Sequence, residues 1–133
     1  MLLLLDTHAL IWLDQDHPSL GPEARARADL ALQQGRLAVS AISFWEIAMH
    51  LVKGRITMAL PPAAWRRDLL GLGLIEIPLD GEIGIASAQL DLHGDPADRI
   101  IAATAQLKGA MLMTADRQLL QWNQALERCD ARR

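Results

Sequence analysis

Apolar and polar positions along the chain follow a repeating scheme. Short, nearly unbroken apolar runs, "LLLL" at 2–5, "LAVS" at 37–40, "LIEI" at 74–77 and "MLMT" at 111–114, alternate with longer segments whose apolar residues recur at helical spacing. Runs this short, lacking polar alternation, predict strands buried on both faces. The segments between them predict helices: "THALIWL", "PEARARADLALQQG" with Pro22 in its first turn and Gly35 at its end, "SFWEIAMHLVKG" stopped by Gly54, "AAWRRDLLGLG", "GEIGIASAQL", "DPADRIIAATAQLKG" and a short "DRQLLQW". The "LPPAAW" at 60–65 reads as a loop ending in Pro at a helix start rather than as a linker. Strand and helix in alternation imply parallel crossovers, and so an α/β fold of three layers with helices on both faces of a central parallel sheet.

In open parallel sheets, ligands bind beyond the carboxyl ends of the strands, so acids at those ends form a separate class. Asp6 directly follows the first strand, Glu46 lies early in the helix after the second, Asp98 opens the helix that feeds the fourth, and Asp116 stands two residues past the fourth. Each has an ordinary structural use. Asp6 suits the N-cap of the following helix. In "DPAD", Asp95 suits an N-cap, Pro96 the first helical position and Asp98 the capping-box place three residues on. Asp116 suits the first turn of a helix capped by Thr114. Glu46 shares a narrow polar stripe with His50 and Lys53, as Phe44, Trp45, Ile47, Ala48, Met49, Leu51 and Val52 cover the remaining circumference. The stripe is either solvated, with Glu46 and His50 paired, or it faces a groove.

The acids weigh more together than singly. If they converge, each like-charged pair about 4 Å apart repels by roughly 1 kcal/mol in water and about 4 kcal/mol at an effective dielectric of 20. A hard divalent cation resolves this, because Mg²⁺ and Mn²⁺ take oxygen ligands, and such an ion lowers the pKa of a bound water for attack on phosphorus.

Composition narrows the setting. At 133 residues and 51% apolar, the chain is expected to form one domain, 1–133, without disulfides. The lone Cys129 has no partner, and the leucine run lacks the basic flank of a signal peptide, so a cytoplasmic protein with no membrane span is expected. The net charge of −3 argues against a nucleic-acid partner until placement is considered. The four histidines, His8, His17, His50 and His93, show no HxxxH or HxH pairing, which assigns them to the surface or to positions behind the acids. The four tryptophans, Trp12, Trp45, Trp65 and Trp122, are read as packing residues before base-stacking ones.

In order and spacing, "LLDTHALIWL", "ISFWEIA", "DPADRIIAATA" and "TADRQL" resemble the motifs of PIN-domain ribonucleases, specifically the VapC-type toxins of toxin–antitoxin systems, and the resemblance covers nearly the whole chain. It implies a PIN-like fold and makes Asp6, Glu46, Asp98 and Asp116 an acidic quartet that binds Mg²⁺ or Mn²⁺ and positions water. It further implies RNA cleavage to 5′-phosphate and 3′-hydroxyl ends, a homodimer, and an antitoxin whose C-terminal segment wraps the "SFWEIAMHLVKG" helix and offers a basic side chain to the cleft. Thr7 and Thr114 stand beside quartet members, where a hydroxyl orients a carboxylate or a water. Setting the four acids aside gives −3 + 4 = +1, a surface that does not repel RNA. Lys53, Arg55, Arg66, Arg67, Arg99 and Arg117 are then the candidates for phosphate contacts. Family members often carry a final strand, of which "ALERCDARR" gives no clear sign.

Two other readings compete with a metal-dependent endoribonuclease. A phosphoryl-transfer enzyme of the haloacid-dehalogenase type also places Asp after the first strand, but needs a second Asp two positions on, where this chain has His8. A PIN-like module that binds without cutting has no use for an intact quartet.

Overall fold

The computed structural model describes residues 1–133, and its elements follow the alternation of the sequence. They are β1 (Leu3–Leu5), α1 (Thr7–Asp14), α2 (Pro22–Gln33), β2 (Leu37–Ser40), α3 (Ala41–Val52), α4 (Pro62–Gly71), β3 (Ile75–Ile77), α5 (Gly81–Ala88), α6 (Pro96–Lys108), β4 (Met111–Thr114), α7 (Arg117–Leu120) and β5 (Arg128–Asp130). The strands form one parallel sheet in the order β3-β2-β1-β4-β5. Leu3 stands opposite Leu37 on one side and Met111 on the other.

The period-two geometry of a strand divides the apolar runs between two cores. Leu3, Leu5, Leu37, Val39 and Met113 pack with Ala9 and Leu10 of α1, Ala24, Ala28 and Ala31 of α2, Ile47 of α3 and Trp65 of α4. Leu4, Ala38, Ile77 and Leu112 face the opposite way, onto Ile83 of α5, Ile101, Ala102 and Ala105 of α6, and Leu119 of α7. This double coverage explains why the central strands carry no polar alternation, and it gives the three layers expected. No helix is long and apolar enough to cross a membrane.

The tail departs from the sequence reading. A fifth strand, Arg128–Asp130, pairs with β4 in the register Leu112–Arg128, Met113–Cys129, Thr114–Asp130. Its three residues are half-buried and two are charged, so it carries no apolar run by which to recognise it. Backbone bonds from Leu112 to the Glu127 carbonyl and from Ala131 to the Thr114 carbonyl extend the pairing at both ends.

Sheet order also locates the site. β1 lies between β2 and β4, and the chain leaves β1 toward β2 but later crosses back to lay β4 on its other side. The two connections diverge there, opening a crevice beyond the carboxyl ends of β1 and β4. Asp6 and Asp116 follow those two ends.

Candidate active site

A cleft of about 370 Å³ opens at this crevice, lined by Asp6, Glu46, Asp98 and Asp116 together with Asp95, His8, Trp12, Ala115 and Arg132. The four acids separated in sequence therefore share one cavity, and the polar stripe of α3 faces a groove at Glu46. Glu46 and His50 form no ion pair, and the His50 Nδ1 is buried without a hydrogen-bond partner.

Asp6 is the most enclosed acid, 5% exposed. Its Oδ1 accepts the Ala9 backbone N–H at 2.8 Å, capping α1, and its Oδ2 accepts the Thr114 hydroxyl at 2.6 Å. The cap and the cleft position are thus one placement. Burial raises its pKa against the opposing pull of the Thr114 and Ala9 hydrogen bonds and the nearby His8.

Thr114 is the hub that joins the two strand ends. While its hydroxyl donates to Asp6, it accepts the Asp116 backbone N–H at 3.0 Å. The expected Thr114 cap on α7 is corrected here: Asp116 is the N-cap, its Oδ1 accepting the Gln118 N–H at 2.8 Å. Thr7 has a different use from Thr114, for its hydroxyl lies 2.9 Å from that of Ser43 and ties α1 to α3.

Asp98 sits in the first turn of α6, where its backbone N–H donates to the capping Asp95 at 3.2 Å, as the "DPAD" pattern predicts. Its carboxyl is pushed up to about 7, first by burial and then by repulsion from Asp95, Asp116, Asp6 and Glu46. Every other quartet member thus acts on Asp98.

His93 closes the group. Its Nε2 lies 3.3 Å from Asp98 Oδ2 and 3.4 Å from Asp116 Oδ2, buried but aligned for a hydrogen bond to neither. Its Nδ1 accepts the Asp95 N–H at 3.3 Å, which leaves the proton of the neutral ring on Nε2, aimed between the two carboxylates. His93 Nε2 and carboxylate oxygens of Asp98 and Asp116 all fall within 4.8 Å of one another. The unneutralised acids fit a divalent cation, and their oxygen donors fit Mg²⁺ or Mn²⁺, whereas His93 in this tautomer carries a proton on Nε2 and stands beside the acids rather than as a ligand. The sequence reading placed His93 only among four histidines on the surface or behind the acids, without singling it out. The usable signal was its place in "HGDPAD", just ahead of a helix start whose cap turns the preceding loop back over the first-turn acid.

The cation candidates fare differently. Arg66 makes a two-pronged pair with Glu76, 2.7 Å at each contact, and neither residue lines the cleft. Arg99 spends its guanidinium on the carbonyls of Ser87, Ala88, Leu90, Leu92 and His93, fixing the loop that carries His93. Neither is available to a phosphate. Lys53, Arg55, Arg67 and Arg117 are exposed but do not line the cleft. Arg132, which the sequence reading overlooked, does. Among the tryptophans, Trp65 and Trp122 are packed as expected, whereas Trp45 is 52% exposed.

A five-stranded parallel sheet of this order, flanked by helices and with acids gathered at its β1–β4 crevice, defines a three-layer α/β protein with an acidic cleft, and the family follows from comparison. The chain belongs to the PIN domain family, whose model matches residues 3–123. It is 33% identical over 121 residues to Ribonuclease VapC22 of Mycobacterium tuberculosis, a match spanning 88% of each chain. Among solved structures it resembles VapBC2 from Rickettsia felis bound to a promoter DNA fragment, with TM-score 0.73, 18% identity and 98% coverage of both chains. DNA-bound VapBC from Salmonella typhimurium aligns with TM-score 0.67 and 22% identity, again over 98% of each chain.

Proposed function

We propose that this protein is a metal-dependent endoribonuclease, the toxin of a VapBC-like toxin–antitoxin pair, with Asp6, Glu46, Asp98 and Asp116 as its metal-binding and catalytic acids. The observation that carries the reading is the convergence of these acids in one cleft, where Asp98 is pushed up to about 7. The likeness to Ribonuclease VapC22 supports RNA as substrate. Mg²⁺ or Mn²⁺, when bound, supplies water activation and charge neutralisation at phosphorus. Asp6, Asp98 and Asp116, with Glu46 across the cleft, would hold the ion. Thr114 keeps Asp6 and Asp116 in fixed register, and Asp6, doubly hydrogen-bonded, cannot swing away from the reacting group. His93 stands between Asp98 and Asp116, its Nε2 within 3.4 Å of both carboxylates.

The partner reading rests on α3. Its Ile47 side is buried in the core, while Trp45 on the other side is 52% and Val52 87% exposed. An antitoxin segment covers this face in our reading, as the VapBC complexes among the structural neighbours suggest, and a homodimer completes the assembly.

Incubation of the purified protein with total RNA, followed by mapping of the ends, tests the activity. Cleavage should stop with EDTA and return with Mg²⁺ or Mn²⁺, leaving 5′-phosphates. Cleavage that persists in rigorously metal-free buffer would overturn the mechanism.

A further inference from the structure

Arg132 is the one Lys or Arg among the residues lining the acidic cleft, yet no carboxylate lies within ion-pairing distance of it. An arginine beside several acids is normally drawn onto one of them, so its separation needs a cause. Two contacts supply it. One guanidinium nitrogen donates to the Ala115 carbonyl at 2.6 Å, and the guanidinium carbon lies 5.6 Å from the centre of the Trp12 ring. Trp12 is itself stacked on His17, with centroids 5.9 Å apart and planes within 17°. The imidazole is anchored by the Ser19 N–H donating to its Nδ1 at 3.0 Å.

The backbone on either side is pinned as well. Ala131 is fully buried, its N–H donates to the Thr114 carbonyl, and its own carbonyl accepts the Gly21 N–H, both at 2.9 Å. The Arg133 carbonyl accepts the Glu23 N–H at 2.9 Å. Gly21 permits this approach, since a Cβ there would stand 2.1 Å from the Arg133 carbonyl carbon. An exposed arginine is thus carried on an ordered backbone and an aromatic pillar, with a single side-chain hydrogen bond made and most of its five donors free.

We propose that Arg132 is the phosphate-binding residue of the cleft, gripping the RNA backbone beside the scissile group. The inference rests on the ribonuclease reading above. A guanidinium presents paired N–H groups to phosphate oxygens, and one held short of the acids keeps its charge for an incoming anion while leaving the carboxylates to the metal. The planar group stacked on Trp12 loses little freedom on binding.

The test uses fluorescence anisotropy of a labelled single-stranded RNA pool, with full-length Asp6→Asn protein to prevent cutting, over a series of KCl concentrations in Mg²⁺. Adding Arg132→Ala should weaken binding and lower the salt slope by about 0.7, the value for one phosphate contact on a single strand. Arg132→Lys should retain the slope with weaker affinity. In the cleaving protein, Arg132→Ala should raise KM about tenfold with kcat nearly unchanged. An unchanged melting temperature with an unchanged slope would overturn this inference alone. If RNA binds neither protein and the unmodified chain cuts none, the ribonuclease reading falls, and this one with it.

Discussion

Two carboxylates of nearly equal exposure behave in opposite ways. Glu76 on β3 has a side chain 22% exposed, and Asp98 on α6 one 25% exposed. Glu76 meets Arg66 in a two-pronged contact that holds its carboxyl below the usual range, chiefly through the hydrogen bonds, against a smaller upward push from burial. Asp98 has four other acids nearby and no Lys or Arg paired with it, and is pushed up to about 7, first by burial and then by the repulsion of those acids. Side-chain exposure alone therefore does not separate a paired acid from a cleft acid here. What separates them is whether the fold supplies a permanent cation, and in the cleft it withholds one: Arg99 is committed to carbonyls and Arg132 is held on Trp12. A site left in that state is suited to a charge that arrives from solution.

The largest effect should come from removing a cleft charge without changing shape. Asp6→Asn should reduce RNA cleavage by more than about a hundredfold, beyond the range typical of residues that only support a metal ligand. The fold should persist, since Asn is as good an N-cap as Asp and its amide can still engage Ala9 and Thr114. Without metal, the variant should melt no lower than the parent, because burial disfavours the charge it removes. Cleavage at the parental rate in saturating metal would remove Asp6 from the mechanism.

Legibility in the sequence follows the same division. Strands β1, β2 and β4 were readable because they are covered on both faces, and the four acids because each stands at a fixed offset from a strand or helix end. Those offsets also make Asp6, Asp95 and Asp116 helix caps, so capping and cleft membership are hard to separate in one dimension. β5 was hidden because its partial burial selects no apolar run. The fates of Arg66, Arg99 and Arg132 were hidden for a deeper reason: a long cation reaches partners far from its own position. Arg66 and Glu76 are ten residues apart, and Arg132 reaches Trp12 at the other end of the chain. Composition shows how many cations exist, and only packing shows which remain free.

A mid-sized effect concerns pH. Asp98 rises from an ordinary value of 3.8 to about 7 on folding, so between those values the folded chain binds more protons than the unfolded one. Its contribution is fully present below about pH 4 and is lost as pH rises through about 7. In chelator, the melting temperature should therefore fall between about pH 5 and pH 8, with Asp6 acting in the same direction. With Mg²⁺ or Mn²⁺ the trend should weaken or reverse, because metal competes with those protons and binds better as they leave. Differential scanning fluorimetry across pH, with and without metal, checks both arms. Asp98→Asn should flatten the metal-free curve.

The smallest effect should come from the paired acid. Glu76→Gln removes the charge opposite Arg66, on an edge strand away from the cleft, and the exposed position of the guanidinium limits what the pair is worth. RNA cleavage should stay at the parental level, and thermal stability at neutral pH should drop only slightly. The sign of its pH dependence is opposite to that of Asp98. A carboxyl held below its ordinary 4.5 adds stability that is present above that value and fades as pH falls through the lower, folded one. Glu76→Gln and the parent should thus converge in stability toward acid, just where Asp98→Asn and its parent, freed of metal, also cease to differ in charge. If Glu76→Gln instead abolished cleavage while leaving the melting temperature intact, Arg66 would be part of the RNA path after all. The contrast between a neutralised acid and an exposed cleft would then no longer mark where the chemistry lies.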